Sequence, residues 1–134
     1  MTTNYRSTFI ATAPDCPVRV AQVPPVGAKP SVASLQYELI HDHPYERTSD
    51  EILFEVHAVR TGISDSERSA EWDRFFAKDQ ACLRASPLAK RYGWGFHHDE
   101  EGRVALVPLG SAEYAALAER SDLTQKPAMR SSRR

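Results

Sequence analysis

The stretch APDCPVRVAQVPPVGAKP, residues 13–30, constrains the fold more than any other feature of the chain. Its five prolines, Pro14, Pro17, Pro24, Pro25 and Pro30, each lock one backbone torsion and remove one amide donor. No regular helix can run through such a segment. An extended arm laid over the domain is expected, with a short edge strand at Val18–Gln22. The arm separates one early strand from everything that follows, so that strand must pair with partners distant in sequence.

The early strand is YRSTFIAT, residues 5–12, which alternates enough to read as β. After the arm, Pro30 and Ser31 open a helix that runs to about His41, with Val32, Leu35 and Leu39 on one face. In TSDEILFEVHAVRTG, Ile52, Phe54, Val56 and Ala58 alternate with Leu53, Glu55, His57 and Val59. Ser49 or Asp50 could cap a helix here, but the alternation predicts a strand over residues 52–60. Ser64 and Glu67 form a capping box for a helix over 64–78, whose Trp72, Phe75 and Phe76 share one side and belong to the core. Ala81–Ala85 reads as a short strand and Pro87–Arg91 as one helical turn or a tight loop. Residues 93–98 and 104–109 read as a hairpin around Asp99–Gly102. Ser111 caps a last short helix that turns Tyr114 and Leu117 inward.

Together these elements predict an α+β fold: a small, mostly antiparallel sheet of about four or five strands, two main helices (31–42 and 64–78) on one face, and the proline-rich N-terminal arm. The 134 residues suit one domain, assigned to residues 1–120. Residues 121–134 read as a basic, disordered tail with four cations, Lys126, Arg130, Arg133 and Arg134, against Asp122.

The formal net charge of −1 does not favour nucleic acid or an anionic membrane as partner. No apolar run approaches the roughly 20 residues that span a bilayer, and MTTNYRSTF lacks the apolar core of a signal peptide. A cytoplasmic protein is expected, with Cys16 and Cys82 reduced.

Three segments, NYRSTFIATAPDCP, SLQYELIHDHPYERTSDEILF and QACLRASPLAKRYGWGFHHDEEGRVAL, give the chain its family character. Across most of residues 4–117 it resembles the family known as domain of unknown function 6157. The resemblance implies no established activity and no catalytic role, so a site must be read from the residues themselves.

Strand alternation places Cys82, Arg84 and Ser86 on one face, Glu55 and His57 on one face, and His97 with Gly93 and Gly95. If the polar faces align, these groups converge. An anion pocket would then use Arg84, Lys90 and Arg91 as cations, with hydroxyls from Ser86 and Tyr92. Glu55, His57 and His97 would supply acid–base groups, and Cys82 a nucleophile or a buried small hydrophobe. No P-loop, dinucleotide glycine pattern, HExxH or paired-cysteine knuckle is present. No cofactor can therefore be named, and no metal site is expected from His41, His43, His57, His97 and His98. The expected function is a site for a small anionic molecule on the polar face of the sheet, possible as an enzyme. The alternative is a non-catalytic, homodimeric protein-interaction module.

Overall fold

The computed structural model describes residues 2–131. Its centre is a four-stranded sheet of β1 (Thr8–Ala11), β2 (Trp94–His98), β3 (Val104–Pro108) and β4 (Thr124–Pro127), in the order β3-β2-β1-β4. β2 runs antiparallel to both neighbours, with Phe9 opposite His97 and Phe96 opposite Leu106. β4 lies parallel to β1, with Phe9 opposite Gln125. Five α-helices complete the α+β fold: α1 (Val32–Ile40), α2 (Ser49–Thr61), α3 (Arg68–Ala77), α4 (Pro87–Lys90) and α5 (Ala112–Ala118). Among the described residues, no helix is long and apolar enough to cross a membrane.

The pleat sorts the core onto two sheet faces. On one face Ile10, Trp94, Phe96 and Val104 pack with Ala33 and Ile40 of α1, Ile52 of α2 and Leu88 of α4. On the other, Phe9 and Val107 pack with Leu117 of α5 and with Leu123. Phe9, Ile10 and Phe96 are fully buried, each contributing about 2 kcal/mol by removal of apolar surface from water. Both faces therefore carry helices, in place of the expected two helices on one face.

The β2–β3 hairpin closes where the sequence predicts. Gly102 takes φ +81°, and the Asp99 carboxylate accepts the amides of Glu101 (2.9 Å) and Arg103 (2.8 Å). α1 starts at Ser31, whose hydroxyl accepts the Ser34 amide at 3.1 Å. Residues 13–30 form neither helix nor strand. The expected strand at Val18–Gln22 is replaced by separate bonds, Ala21 N–H to the Leu109 carbonyl (3.3 Å) and Gln22 N–H to the Tyr92 carbonyl (2.8 Å).

Four expectations need correction. Residues 52–60 are helical, not extended. Thr48 and Glu51 cap α2 reciprocally, and Gly62 ends it in the left-handed conformation at φ +72°. The alternation misleads because α2 is buried on two sides. Ile52 joins the core over the sheet, while Phe54 faces α3, its ring 5.0 Å from that of Trp72. Successive helical residues turn by about 100°, so two opposite buried stripes reproduce a period of two.

Secondly, the Ser64–Glu67 box opens a 3-10 turn (Asp65–Glu67) that leads into α3. None of the α3 residues is fully buried, and its aromatics pack on α2 rather than on the sheet. Thirdly, residues 81–85 form no strand. Leu83–Ala85 is a 3-10 turn closed by Ala85 N–H to Cys82 O and Ser86 N–H to Leu83 O. Finally, residues 124–127 of the segment expected to be a disordered tail are β4. Residues 132–134, with Arg133 and Arg134, lie outside the described residues.

Candidate functional site: a histidine and a glutamate across the α2–α3 seam

The residues expected to converge are distributed over the molecule. Glu55 and His57 stand two positions apart on α2, so about 200° separates them around the helix. Glu55 pairs with Arg68 on one flank of the α2–α3 seam. His57 lies on the other flank. His97 is on β2, where its Nδ1 meets the Tyr45 hydroxyl at 2.7 Å. Cys82 is half-buried beside the Tyr5 hydroxyl, 3.2 Å away.

The expected anion-binding set is dispersed as well. The Nε of Arg84 donates to the Pro127 carbonyl at 2.7 Å, tying the 3-10 turn to β4. Ser86 is buried. Its oxygen caps α4 by accepting the Leu88 amide at 3.1 Å, and its hydroxyl donates to the Gln36 side-chain carbonyl. Lys90 ends α4, Arg91 follows it in solvent, and Tyr92 packs against the core. Arg84 and Ser86 are thus engaged by β4, α4 and Gln36, away from His57 on α2 and His97 on β2.

A different constellation forms at His57. Its Nε2 lies 3.0 Å from Oε2 of Glu71, which α3 presents across the seam. The other carboxylate oxygen of Glu71 accepts from Nε of Arg74 (2.9 Å), one helical turn further on, and forms an ion pair with its Nη2 at 2.8 Å. His57 and then Arg74, by hydrogen bonding to the carboxylate, hold the Glu71 carboxyl below its usual range. An ionised carboxylate can only accept, so Nε2 of His57 is the donor in this bond and Nδ1 is turned away from Glu71. The imidazole also lies 4.6 Å from the Phe75 ring, which fixes its plane.

Two open cavities, of about 480 and 580 Å³, share His57, Phe75 and Gln80. Arg60 lines the first, and Lys78 the second. Among the described residues neither cation is joined to a carboxylate in an ion pair, whereas Arg74 is neutralised by Glu71. The seam thus combines an oriented imidazole, unneutralised positive charge on both sides and an apolar wall. Among the described residues, no group of three or more His, Cys, Asp and Glu side chains gathers to hold a metal ion.

Sequence reasoning singled out His57 but missed Glu71, Arg60 and Lys78. Glu71 and Arg74 at i, i+3 carry a helical signal. The strand assignment for residues 52–60 hid the helix that Glu71 faces.

The fold and the seam define a small α+β domain with a histidine–carboxylate pair between two helices. The chain belongs to a family of unknown function, DUF6157, whose model matches residues 1–134. No curated protein and no solved structure matches the chain.

Proposed function

We propose that the α2–α3 seam is a small-molecule site that holds an anionic ligand and moves a proton through Nδ1 of His57. The observation that carries this reading is the 3.0 Å bond between His57 Nε2 and Glu71. A base works best when a third group fixes its tautomer and orientation, and Glu71 does both. The carboxylate also stabilises the imidazolium once a proton has been taken up. Arg60 and Lys78 attract the ligand's negative charge from either side, and Phe75 offers an aromatic wall to its apolar part. Compared with the set expected from sequence, His57 keeps its role as acid–base group, Glu71 replaces Glu55 as its partner, and Arg60 and Lys78 replace Arg84, Lys90 and Arg91 as cations.

The test is titration of the full chain with inorganic phosphate, succinate and benzoate, following the His57 ring protons by NMR. At least one anion should shift them in a saturable way, and Lys78→Gln should weaken that binding severalfold. Anions that leave the ring unmoved, or bind equally well to Lys78→Gln, would overturn the proposal.

A second reading, a homodimeric interaction module without catalysis, is favoured by one feature of α3. Its Trp72, Phe75 and Phe76 are all only half-buried, which is unusual for three clustered aromatics in a monomer. Sedimentation equilibrium separates the readings: a dimer lost in Trp72→Ala while anion binding persists supports this role for α3.

A further inference from the structure

Val20, Val23 and Val26 are the three most exposed large apolar side chains among the described residues, at 60%, 63% and 83%. They recur at every third position of the proline-rich segment. Val23 and Pro24 each precede a proline, which restricts both to extended backbone, and residues 21–27 run without a turn or bend. A polyproline II helix has this geometry, with three residues per turn. Burial follows the same period. Ala21 packs on the core and Pro24 is buried, while Gln22 and Pro25 are exposed. One ridge of the helix therefore faces the domain and two face solvent. The segment is held in place by the Trp94 indole, whose Nε1 donates to the Gln22 carbonyl at 2.8 Å.

A polyproline helix docks into grooves lined by aromatic rings, and the Glu55 flank of the α2–α3 seam has that chemistry. An open cavity of about 370 Å³ there has Phe54 and the half-buried Trp72 in its wall. The Trp72 ring lies 4.6 Å from that of Phe76, which extends the aromatic surface along α3. Arg68 is committed to Glu55, and Arg47 donates Nη1 to the Leu39 carbonyl at 2.9 Å. Glu51 and Asp73, in the same wall, have no ion-pair partner among the described residues. The proline-rich segment carries the complementary charge: from Cys16 to Tyr37 it has Arg19 and Lys29 and no acid. The His57 flank, with Arg60 and Lys78, would repel it. Bonded to Leu109 and Trp94, the segment does not line this cavity in its own chain.

We propose that two copies of the chain dock reciprocally, the Val20–Val23–Val26 ridge of each lying across Trp72 of the other. Arg19 and Lys29 then approach the acidic rim at Glu51 and Asp73. The exchange is self-complementary, so it closes into a symmetric dimer and makes the same contact twice. It rests on the dimeric reading of α3 and names the surface that covers the helix. The His57 flank stays open, so the anion site is not part of this interface.

The experiment is sedimentation equilibrium of the full chain, of Val23→Asp, of Trp72→Ala and of an equal mixture of the two variants. The parent should dimerise, and each variant alone should associate at least about tenfold more weakly. In the mixture the Val23→Asp chain offers an intact groove and the Trp72→Ala chain an intact ridge. One of the two contacts survives, so the mixture should associate more tightly than either variant alone. Pro25→Gly keeps the valines and loosens the backbone, and should weaken the dimer severalfold through lost pre-organisation. Thermal melts of each variant check that the fold is kept. A dimer lost in Trp72→Ala but retained in Val23→Asp and Pro25→Gly, or a mixture no tighter than its components, overturns this docking and leaves the dimeric reading standing. A monomeric parent overturns both.

Discussion

Glu71 Oε2 accepts a hydrogen bond from His57 Nε2 at 3.0 Å, joining α3 to α2 across a seam whose two cavities have His57, among the described residues, as their one lining histidine. The bond has a thermodynamic consequence. A carboxyl held below its ordinary value of 4.5 in the folded chain stabilises the fold above that value, and the stabilisation is lost as pH falls through the folded-state value. Glu71→Gln should therefore be less stable than the parent at pH 7 and equal to it below both values. Urea unfolding at pH 7 and in strong acid reads this directly. The same variant should lower the anion response of His57, since the ring loses its fixed tautomer.

His98 predicts a second pH effect, of separate origin. Its ring is fully buried, and among the described residues neither nitrogen has a partner in good hydrogen-bond geometry, a backbone contact with Phe96 being the nearest approach to one. Burial, and then the neighbouring His97, push its pKa down from 6.5 to about 4. The unfolded chain takes up this proton near pH 6.5, and the folded chain only near pH 4. Stability is thus fully present above pH 6.5, falls as pH drops towards 4 and levels off below. The loss is about 3 kcal/mol. His98→Phe should remove this part of the slope, read as the difference between variant and parent unfolding curves at pH 7 and pH 4.5.

Ser86 is a structural cap rather than a ligand group. Ser86→Ala removes the Leu88 amide bond and leaves the buried Gln36 carbonyl unsatisfied. A cost of about 2 kcal/mol is expected in urea unfolding, with anion binding at His57 unchanged.

Gly95 marks a close backbone approach, as expected for a glycine inside a strand. A Cβ placed there would lie 2.9 Å from the Phe9 ring and 3.0 Å from the Ile10 carbonyl oxygen. Gly95→Ala should cost about 2 kcal/mol through overpacking at the centre of the sheet, visible as a lowered Tm. The contact is with the chain's own β1, so this glycine holds strands together and leaves no space for a ligand.

Elements built from neighbouring residues were legible in the sequence. The Asp99–Gly102 hairpin, the Ser31 and Ser111 caps, the turn of helix after Ser86 and the family membership all rest on signals a few residues long or on extended sequence match. β4 was not legible because nothing local marks TQKP as a strand. It exists through its parallel pairing with Thr8–Ala11, more than a hundred residues away. The α2 error has the same root. Its alternating burial comes from two different partners, the sheet core and α3, and sequence periodicity cannot say how many surfaces cover a helix.

By itself the sequence determined which short stretches could not be helical and where turns and caps fall, and it put His57, Glu55, His97 and Cys82 forward as candidates. Only the tertiary structure decided their partners. Glu71 reaches His57 and Tyr45 reaches His97 because separately formed elements pack against one another. Two residues apart on a helix, Glu55 and His57 were set on opposite flanks of one seam, while distance in sequence was no barrier to the pairs that did form. Side-chain direction follows from backbone geometry and packing, and a one-dimensional pattern contains the first only when the element type is known and the second not at all.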